Sequence, residues 1–119
     1  MVAQIGKPAP EFTGAAYHNG EITEISLKSY RGKWVVLFFY PLDFTFVCPT
    51  EIQGFNDKKA EFDKLNAQVI GASVDSVHSH KAWSEGALGK MNYPLLSDIN
   101  HRVSRDYGVL LEDKGISLR

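Results

Sequence analysis

Residues 34–40 read Trp-Val-Val-Leu-Phe-Phe-Tyr, a continuous apolar run that is rich in β-branched and aromatic residues. Such a run is typical of a central strand that is covered on both faces. Pro41 ends it, because proline has no amide hydrogen to donate to a sheet. Beyond a short loop, apolar residues at helical spacing predict one helix over residues 49–65, and residues 68–74 predict a second buried strand. The strand–helix–strand order predicts a right-handed βαβ unit with parallel strands.

The segment before this unit predicts a β-hairpin. Residues 12–17 and 21–26 read as two strands that flank His18-Asn19-Gly20. Asn-Gly is the strongest short hairpin signal, because both residues tolerate positive φ. A single helical turn over residues 26–30 is predicted to lead into the βαβ unit.

The segment after the unit predicts shorter elements. These are a helix over 78–85 with Ala82 and Trp83 facing inward, a short strand over 93–96, a helix over 101–107, and extended segments at 109–111 and 116–119. Asp98 or Asn100 suits the start of the last helix and Gly108 suits its end. The predicted fold class is α/β with a small mixed sheet, in a single domain over residues 1–119.

Composition excludes several classes of function. The chain has 119 residues, is 44% hydrophobic and 23% charged, and carries a formal net charge of −1. This charge gives no electrostatic case for nucleic acid, and no apolar run is long enough to span a membrane. The N-terminus does not resemble a signal peptide. A single cysteine cannot form an internal disulfide, which favours a reducing, cytoplasmic compartment.

The sequence predicts no cofactor and no metal. His78 and His80 are two residues apart and so lie on different sides of a helix, and no thiolate or carboxylate cluster accompanies them. We interpret both as surface or capping histidines.

The lone cysteine, Cys48, stands between a buried strand and a helix. Its thiolate is the nucleophilic form, and the positive end of a helix dipole favours that form. Thr45 can turn its hydroxyl toward the sulfur, while Pro41 and Pro49 stiffen the loop. The alternative is that Cys48 is a small buried hydrophobe, as free cysteines often are. Position alone leaves both interpretations open.

A resemblance favours the first interpretation. The pattern Pro41-x-x-x-Thr45-x-x-Cys48 resembles the active-site signature of the peroxiredoxins, and residues 38–51 are similar to the typical two-cysteine branch, the alkyl hydroperoxide reductase/thiol-specific antioxidant family. Further similar segments follow in family order, at residues 6–12, 71–76, 93–98 and 107–110. The similarity covers essentially the whole chain.

The resemblance implies a thioredoxin-like fold with an N-terminal β extension, and it implies roles for five residues. Cys48 would attack the peroxide and become a sulfenic acid. Thr45 would orient the peroxide and Pro41 would shield the sulfenic acid. Arg119 matches the family arginine that stabilises the thiolate and the leaving oxygen, and Glu51 matches the carboxylate that holds this arginine.

The same resemblance implies the reactants and partners. These are hydrogen peroxide and alkyl hydroperoxides, thioredoxin or another thiol reductant, and a homo-dimer or higher homo-oligomer. The family's resolving cysteine has no counterpart, because the sequence contains one cysteine. We therefore expect a chain that lacks the C-terminal part of the fold and is weakly active or inactive. The alternative function is a non-catalytic, chaperone-like or peroxide-sensing role.

Overall fold

Asn19 and Gly20 close the N-terminal hairpin. In a computed structural model of the chain, which describes residues 2–45 and 48–119 without the side chain of Cys48, they join strands β1 (Thr13–His18) and β2 (Glu21–Ser26). Their φ angles are 52° and 79°. Positive φ at both central residues is what a two-residue hairpin turn requires. The predicted hairpin is confirmed, and the predicted helical turn is a 3₁₀ turn at Leu27–Tyr30.

The βαβ unit is confirmed with one change. Strands β3 (Trp34–Phe39) and β4 (Ala67–Ser73) are parallel and joined by helices α1 (Cys48–Asp57) and α2 (Lys59–Lys64). The prediction of a single helix is wrong, because the backbone leaves helical geometry at Lys58, with φ −98° and ψ 9°. The turn lets α2 follow the sheet back to the start of β4.

The remaining elements complete the sheet and add a small hairpin. Helix α3 (Val77–Glu85) leads to β5 (Leu95–Ser97), and α4 (Arg102–Asp106) leads to a two-stranded sheet of β6 (Leu110–Leu111) and β7 (Ile116–Ser117). The main sheet has five strands in the order β2-β1-β5-β4-β3. Among the described strands, β3 lies at the edge of this sheet, where the sequence predicted a central strand.

Side-chain oxygens cap the first turns of α3 and α4. The hydroxyl of Ser76 accepts from the N–H of Ser79 at 3.1 Å at the start of α3. The carboxylate of Asp98 accepts from the N–H groups of Val103 and Ser104, at 2.9 and 2.7 Å. Each bond satisfies an amide that has no partner within its own helix. The prediction that Asp98 or Asn100 caps this helix is confirmed for both residues, because the N–H of Arg102 also donates to Oδ1 of Asn100 at 3.1 Å. Gly108 follows α4 with φ 73°.

The core lies on both faces of the sheet, because successive strand residues point to opposite faces. Val69 packs with α1 and α3, whereas Ile70 packs with the hairpin and α4. Trp83 is buried as predicted, but Ala82 is exposed, so that prediction is wrong. None of the helices in the described ranges is long and apolar enough to cross a membrane.

Candidate active site

Strands β3 and β4 are parallel, and helix α1 begins at Cys48, after the loop that follows the carboxyl end of β3. The first N–H groups of a helix have no intrahelical partner, and the helix dipole places partial positive charge there. This backbone position therefore favours a thiolate over a thiol. The side chain of Cys48, together with Phe46 and Val47, lies outside the described residues.

The loop that leads to the cysteine, residues 41–45, is tightly folded. The hydroxyl of Thr45 donates to the carbonyl oxygen of Leu42 at 3.3 Å, and both Pro41 and Thr45 are half-buried. Phe44 has a φ of 60°, which is a left-handed conformation that an aromatic residue adopts only when its surroundings impose it. Its ring lies against Trp83, with the ring centres 5.7 Å apart.

An ion pair brings the end of the chain to the start of α1. Nε of Arg119 lies 2.5 Å from Oε1 of Glu51, which is in the first turn of the helix. The two side chains are 40% and 37% exposed. The pair therefore joins Arg119 to the first turn of the helix that begins at Cys48. It brings two of the predicted site residues, Glu51 and Arg119, into contact, while Thr45 precedes Cys48 by three positions in the sequence.

Short contacts hold the hairpin that carries this arginine. The N–H of Leu118 donates to the carbonyl oxygen of Val109 at 2.7 Å. The buried hydroxyls of Ser104 and Ser117 lie 2.6 Å apart and join the hairpin to α4. The position of Arg119 therefore depends on α4 as well as on Glu51.

The sequence did not reveal a buried network beneath the loop, which we call the loop network and which consists of Tyr40, Asp43 and His80. The hydroxyl of Tyr40 donates to Oδ1 of Asp43 at 2.7 Å, and Nδ1 of His80 lies 2.7 Å from Oδ2 of the same carboxylate. The side chains of His80 and Asp43 are 0% and 1% exposed. The interpretation of His80 as a surface or capping histidine is wrong, whereas His78 is exposed.

One signal in the sequence could have shown that His80 is buried. His80, Trp83 and Ser84 lie at helical spacing on one face of α3, and all three are buried. A histidine three residues before a buried tryptophan faces the same side of a helix. Its partner, however, is 37 residues away in the chain, and local spacing cannot identify such a contact.

Burial changes the acidity of two groups at the loop. Burial first, and then the charge of Asp43, raise the pKa of Tyr40 well above its ordinary value, so its hydroxyl keeps its proton and donates. Burial also raises the pKa of Asp75, although a hydrogen bond from the Asp43 N–H, at 2.5 Å, opposes this shift.

Comparison with known proteins decides the family. A family model described as AhpC/TSA matches residues 5–119. The chain belongs to the AhpC/TSA family. It is 57% identical to "Peroxiredoxin-2" of Bos taurus, over 98% of this chain and 61% of the relative. It is 53% identical to "Thioredoxin peroxidase" of Echinococcus granulosus, over 100% of this chain and 64% of the relative.

Solved AhpC/TSA structures agree. Reduced 2-Cys peroxiredoxin of Plasmodium vivax superposes with a TM-score of 0.92 at 42% identity, over 97% of this chain and 74% of that one. AhpC of Enterococcus faecalis superposes with a TM-score of 0.88 at 43% identity, over 92% and 66%. The predicted peroxiredoxin resemblance and thioredoxin-like fold are confirmed. The chain spans less than two thirds of the length of these two curated relatives, 61% and 64%.

Proposed function

We propose that this chain carries the peroxide-reducing site of a thiol peroxidase, with Cys48 as the nucleophile. The observation that carries the proposal is the Arg119–Glu51 pair, at 2.5 Å, in the first turn of the helix that begins at Cys48. A permanently charged guanidinium and the N-terminus of a helix then act on one sulfur. Both favour the thiolate that attack on a peroxide requires.

In the proposed reaction the thiolate attacks one oxygen of the peroxide. A sulfur–oxygen bond forms, the oxygen–oxygen bond breaks, and the leaving oxygen takes a proton to become water or an alcohol. The sulfur is oxidised to a sulfenic acid as the peroxide is reduced. Arg119 stabilises the negative charge on the leaving oxygen, and Glu51 holds Arg119 in place. Thr45 orients the peroxide, and Pro41 shields the sulfenic acid.

The substrates and partners follow from this chemistry as parts of the proposal. Hydrogen peroxide and alkyl hydroperoxides are the substrates. Thioredoxin or another thiol returns Cys48 to the thiol. One thiol condenses with the sulfenic acid to form a mixed disulfide as water leaves, and a second thiol breaks that disulfide. A reducing compartment such as the cytoplasm suits a reaction that needs this free thiol.

Residues 1–119 act within a single thioredoxin-like domain. Phe44 is 60% exposed beside the site, which supports association of copies into a homo-dimer or higher oligomer through this face.

One observation favours a second candidate function, chaperone-like binding. Trp34 and Leu65 are 74% and 68% exposed, and β3 is an edge strand among the described strands. Edge strands with apolar side chains bind other extended chains. This activity would not need the sulfur, so Cys48→Ser would suppress aggregation of an unfolded client as well as the unsubstituted chain does.

The test of the peroxidase is rapid mixing of the reduced chain with a slight excess of hydrogen peroxide. Tryptophan fluorescence gives the rate, and intact mass shows the addition of one oxygen atom. The sequence predicted a weakly active or inactive chain, but because Arg119 pairs with Glu51 we expect oxidation of Cys48 orders of magnitude faster than that of a free thiol. Cys48→Ser is the control, because it shows how much oxygen Met1 and Met91 take up. A rate equal to that of a free thiol would contradict the proposal.

A further inference from the structure

The loop network contacts the loop of residues 41–45 through Asp43 and has no role in the function proposed above. We propose that Asp43 is a positioning residue, which holds the loop of residues 41–45 in the geometry that Thr45 needs for the reaction of Cys48 with peroxide. The proposal rests on the proposed function. Its test includes a measurement that is independent of peroxide.

Asp43 is held at three of its atoms. Tyr40 donates to one carboxylate oxygen, Nδ1 of His80 contacts the other, and the Asp43 N–H donates to Oδ2 of Asp75 at 2.5 Å. The three partners come from the end of β3, from α3 and from the residues after β4. Three separate elements of the fold therefore converge on one loop residue.

Both ring nitrogens of His80 have a polar partner. Nε2 lies 3.0 Å from the carbonyl oxygen of Leu96, and Nδ1 lies 2.7 Å from Oδ2 of Asp43. The side chains of His80 and Asp43 are 0% and 1% exposed, so water cannot replace either partner. Removing one of them therefore leaves a buried polar group without its hydrogen bond, which is costly.

Asp43 precedes the most constrained backbone of the loop. Phe44 follows it with a φ of 60°. Thr45 comes next, and its hydroxyl donates to the carbonyl oxygen of Leu42, the residue before Asp43. Fixing Asp43 therefore fixes both the backbone that carries Thr45 and the acceptor of its hydroxyl. Small displacements of a group that orients a reactant cost large factors in rate.

The test compares four substitutions in the 119-residue chain. Asp43→Ala removes the carboxylate, and Tyr40→Phe removes one donated hydrogen bond. Asp43→Asn is the conservative variant, because its amide oxygen can accept from Tyr40 while its NH₂ donates to a neutral His80. The matched control is Tyr107→Phe, which deletes a hydroxyl that donates to the carbonyl oxygen of Pro10 at 2.7 Å, away from the loop.

The rate of Cys48 oxidation by hydrogen peroxide is the first measurement. We expect it to fall about 100-fold in Asp43→Ala and about tenfold in Tyr40→Phe, and to recover to within about threefold of the unsubstituted rate in Asp43→Asn. Tyr107→Phe should keep the full rate. Alkylation of Cys48 by iodoacetamide needs a thiolate but no aligned peroxide, so it should change much less. Equal losses in both reactions, or an unchanged peroxide rate in Tyr40→Phe, would overturn the proposal.

Hydrogen exchange of the amides of residues 42–45 is the second measurement, and it applies also if Asp43→Ala does not fold. Tyr40→Phe should speed this exchange, and Tyr107→Phe should not. If the unsubstituted chain reacts no faster than a free thiol, the proposed function fails and Asp43 has no reaction to serve. Faster exchange in Tyr40→Phe would then show that the loop network still holds the loop. If the unsubstituted chain reacts fast and the Tyr40→Phe variant keeps the same peroxide rate, the positioning role alone is overturned.

Discussion

The two sides of the candidate site are held in opposite ways. On one side, the loop before Cys48 rests on Asp43 and His80, whose side chains are 1% and 0% exposed. On the other side, Arg119 reaches the helix from a two-stranded hairpin, and its pair with Glu51 is 40% and 37% exposed. Burial strengthens the first set of contacts and makes their loss costly, whereas water screens the second.

Because of this difference, substitutions on the two sides should affect the stability of the fold and the proposed reaction to different extents. The loop side shares its side chains with the core, since Tyr40 and Trp83 belong to the buried cluster under the sheet. A change there lowers stability and reactivity together. Exposed ion pairs contribute little to stability, so we expect a change at Arg119 to affect the proposed reaction alone. The predictions below test this separation, from the largest expected effect to the smallest.

Replacement of Trp83, the buried side chain on which the loop packs, has the largest expected effect. Trp83 is 1% exposed and packs against both Tyr40 and Phe44. Trp83→Ala should lower the free energy of unfolding by about 3–5 kcal/mol, because it leaves a cavity in the core. Urea denaturation followed by circular dichroism measures the loss. The control is Trp34→Ala, at a tryptophan that is 74% exposed, and it should change stability by less than about 0.5 kcal/mol. If both variants lost a similar free energy of unfolding, the claim that the loop packs on the buried core through Trp83 would be refuted.

Removal of the guanidinium tests the other side. Arg119→Ala should lower the rate of Cys48 oxidation by hydrogen peroxide about 10²–10³-fold, as loss of a donor aimed at developing charge does. The melting temperature should change little, because exposed ion pairs contribute about 0–1 kcal/mol.

A second exposed arginine–carboxylate pair supplies the control for this substitution. Nε of Arg105 lies 2.9 Å from Oε1 of Glu112, in side chains that are 54% and 65% exposed. Arg105→Ala should match Arg119→Ala in stability and keep the full reaction rate. If the two variants react equally fast, Arg119 has no part in the chemistry.

The sequence predicted the parts of this molecule that local chemistry determines. Asn19-Gly20 predicted the hairpin because both residues adopt positive φ, and Asp98 predicted a cap because its carboxylate reaches free amides. The family pattern brought Glu51 and Arg119 together, 68 residues apart, without any local signal for that contact. Resemblance rather than composition made that prediction.

Long-range pairing decided what the sequence did not show. An apolar run such as residues 34–39 is the same in a central strand and in an edge strand, and only the order of pairing distinguishes them. The burial of His80 depends in the same way on Asp43, from the loop after β3. The break at Lys58 had no proline or glycine to mark it.

Substitution of Asp75 has the smallest expected effect. It tests whether the loop of residues 41–45 needs the charge of this carboxylate or only its hydrogen-bond acceptor. Burial raises the pKa of this carboxyl above its ordinary 3.8, so folding favours the neutral form and the ionised form costs stability. The cost is absent at pH values below the ordinary pKa, where the carboxyl is neutral in both states. It grows as the pH rises through the folded-state pKa.

Asp75→Asn should therefore melt at the same temperature as the unsubstituted chain in acid, and higher by about 2 °C or less at neutral pH. Its amide oxygen still accepts from the Asp43 N–H, so the rate of Cys48 oxidation should not fall. Asp75→Ala is the matched variant, because it removes the acceptor as well as the charge, and it should react more slowly with peroxide. Thermal melts at two pH values and the two oxidation rates measure these effects. A slower Asp75→Asn would mean that the loop needs the charge of Asp75 and not only its oxygen.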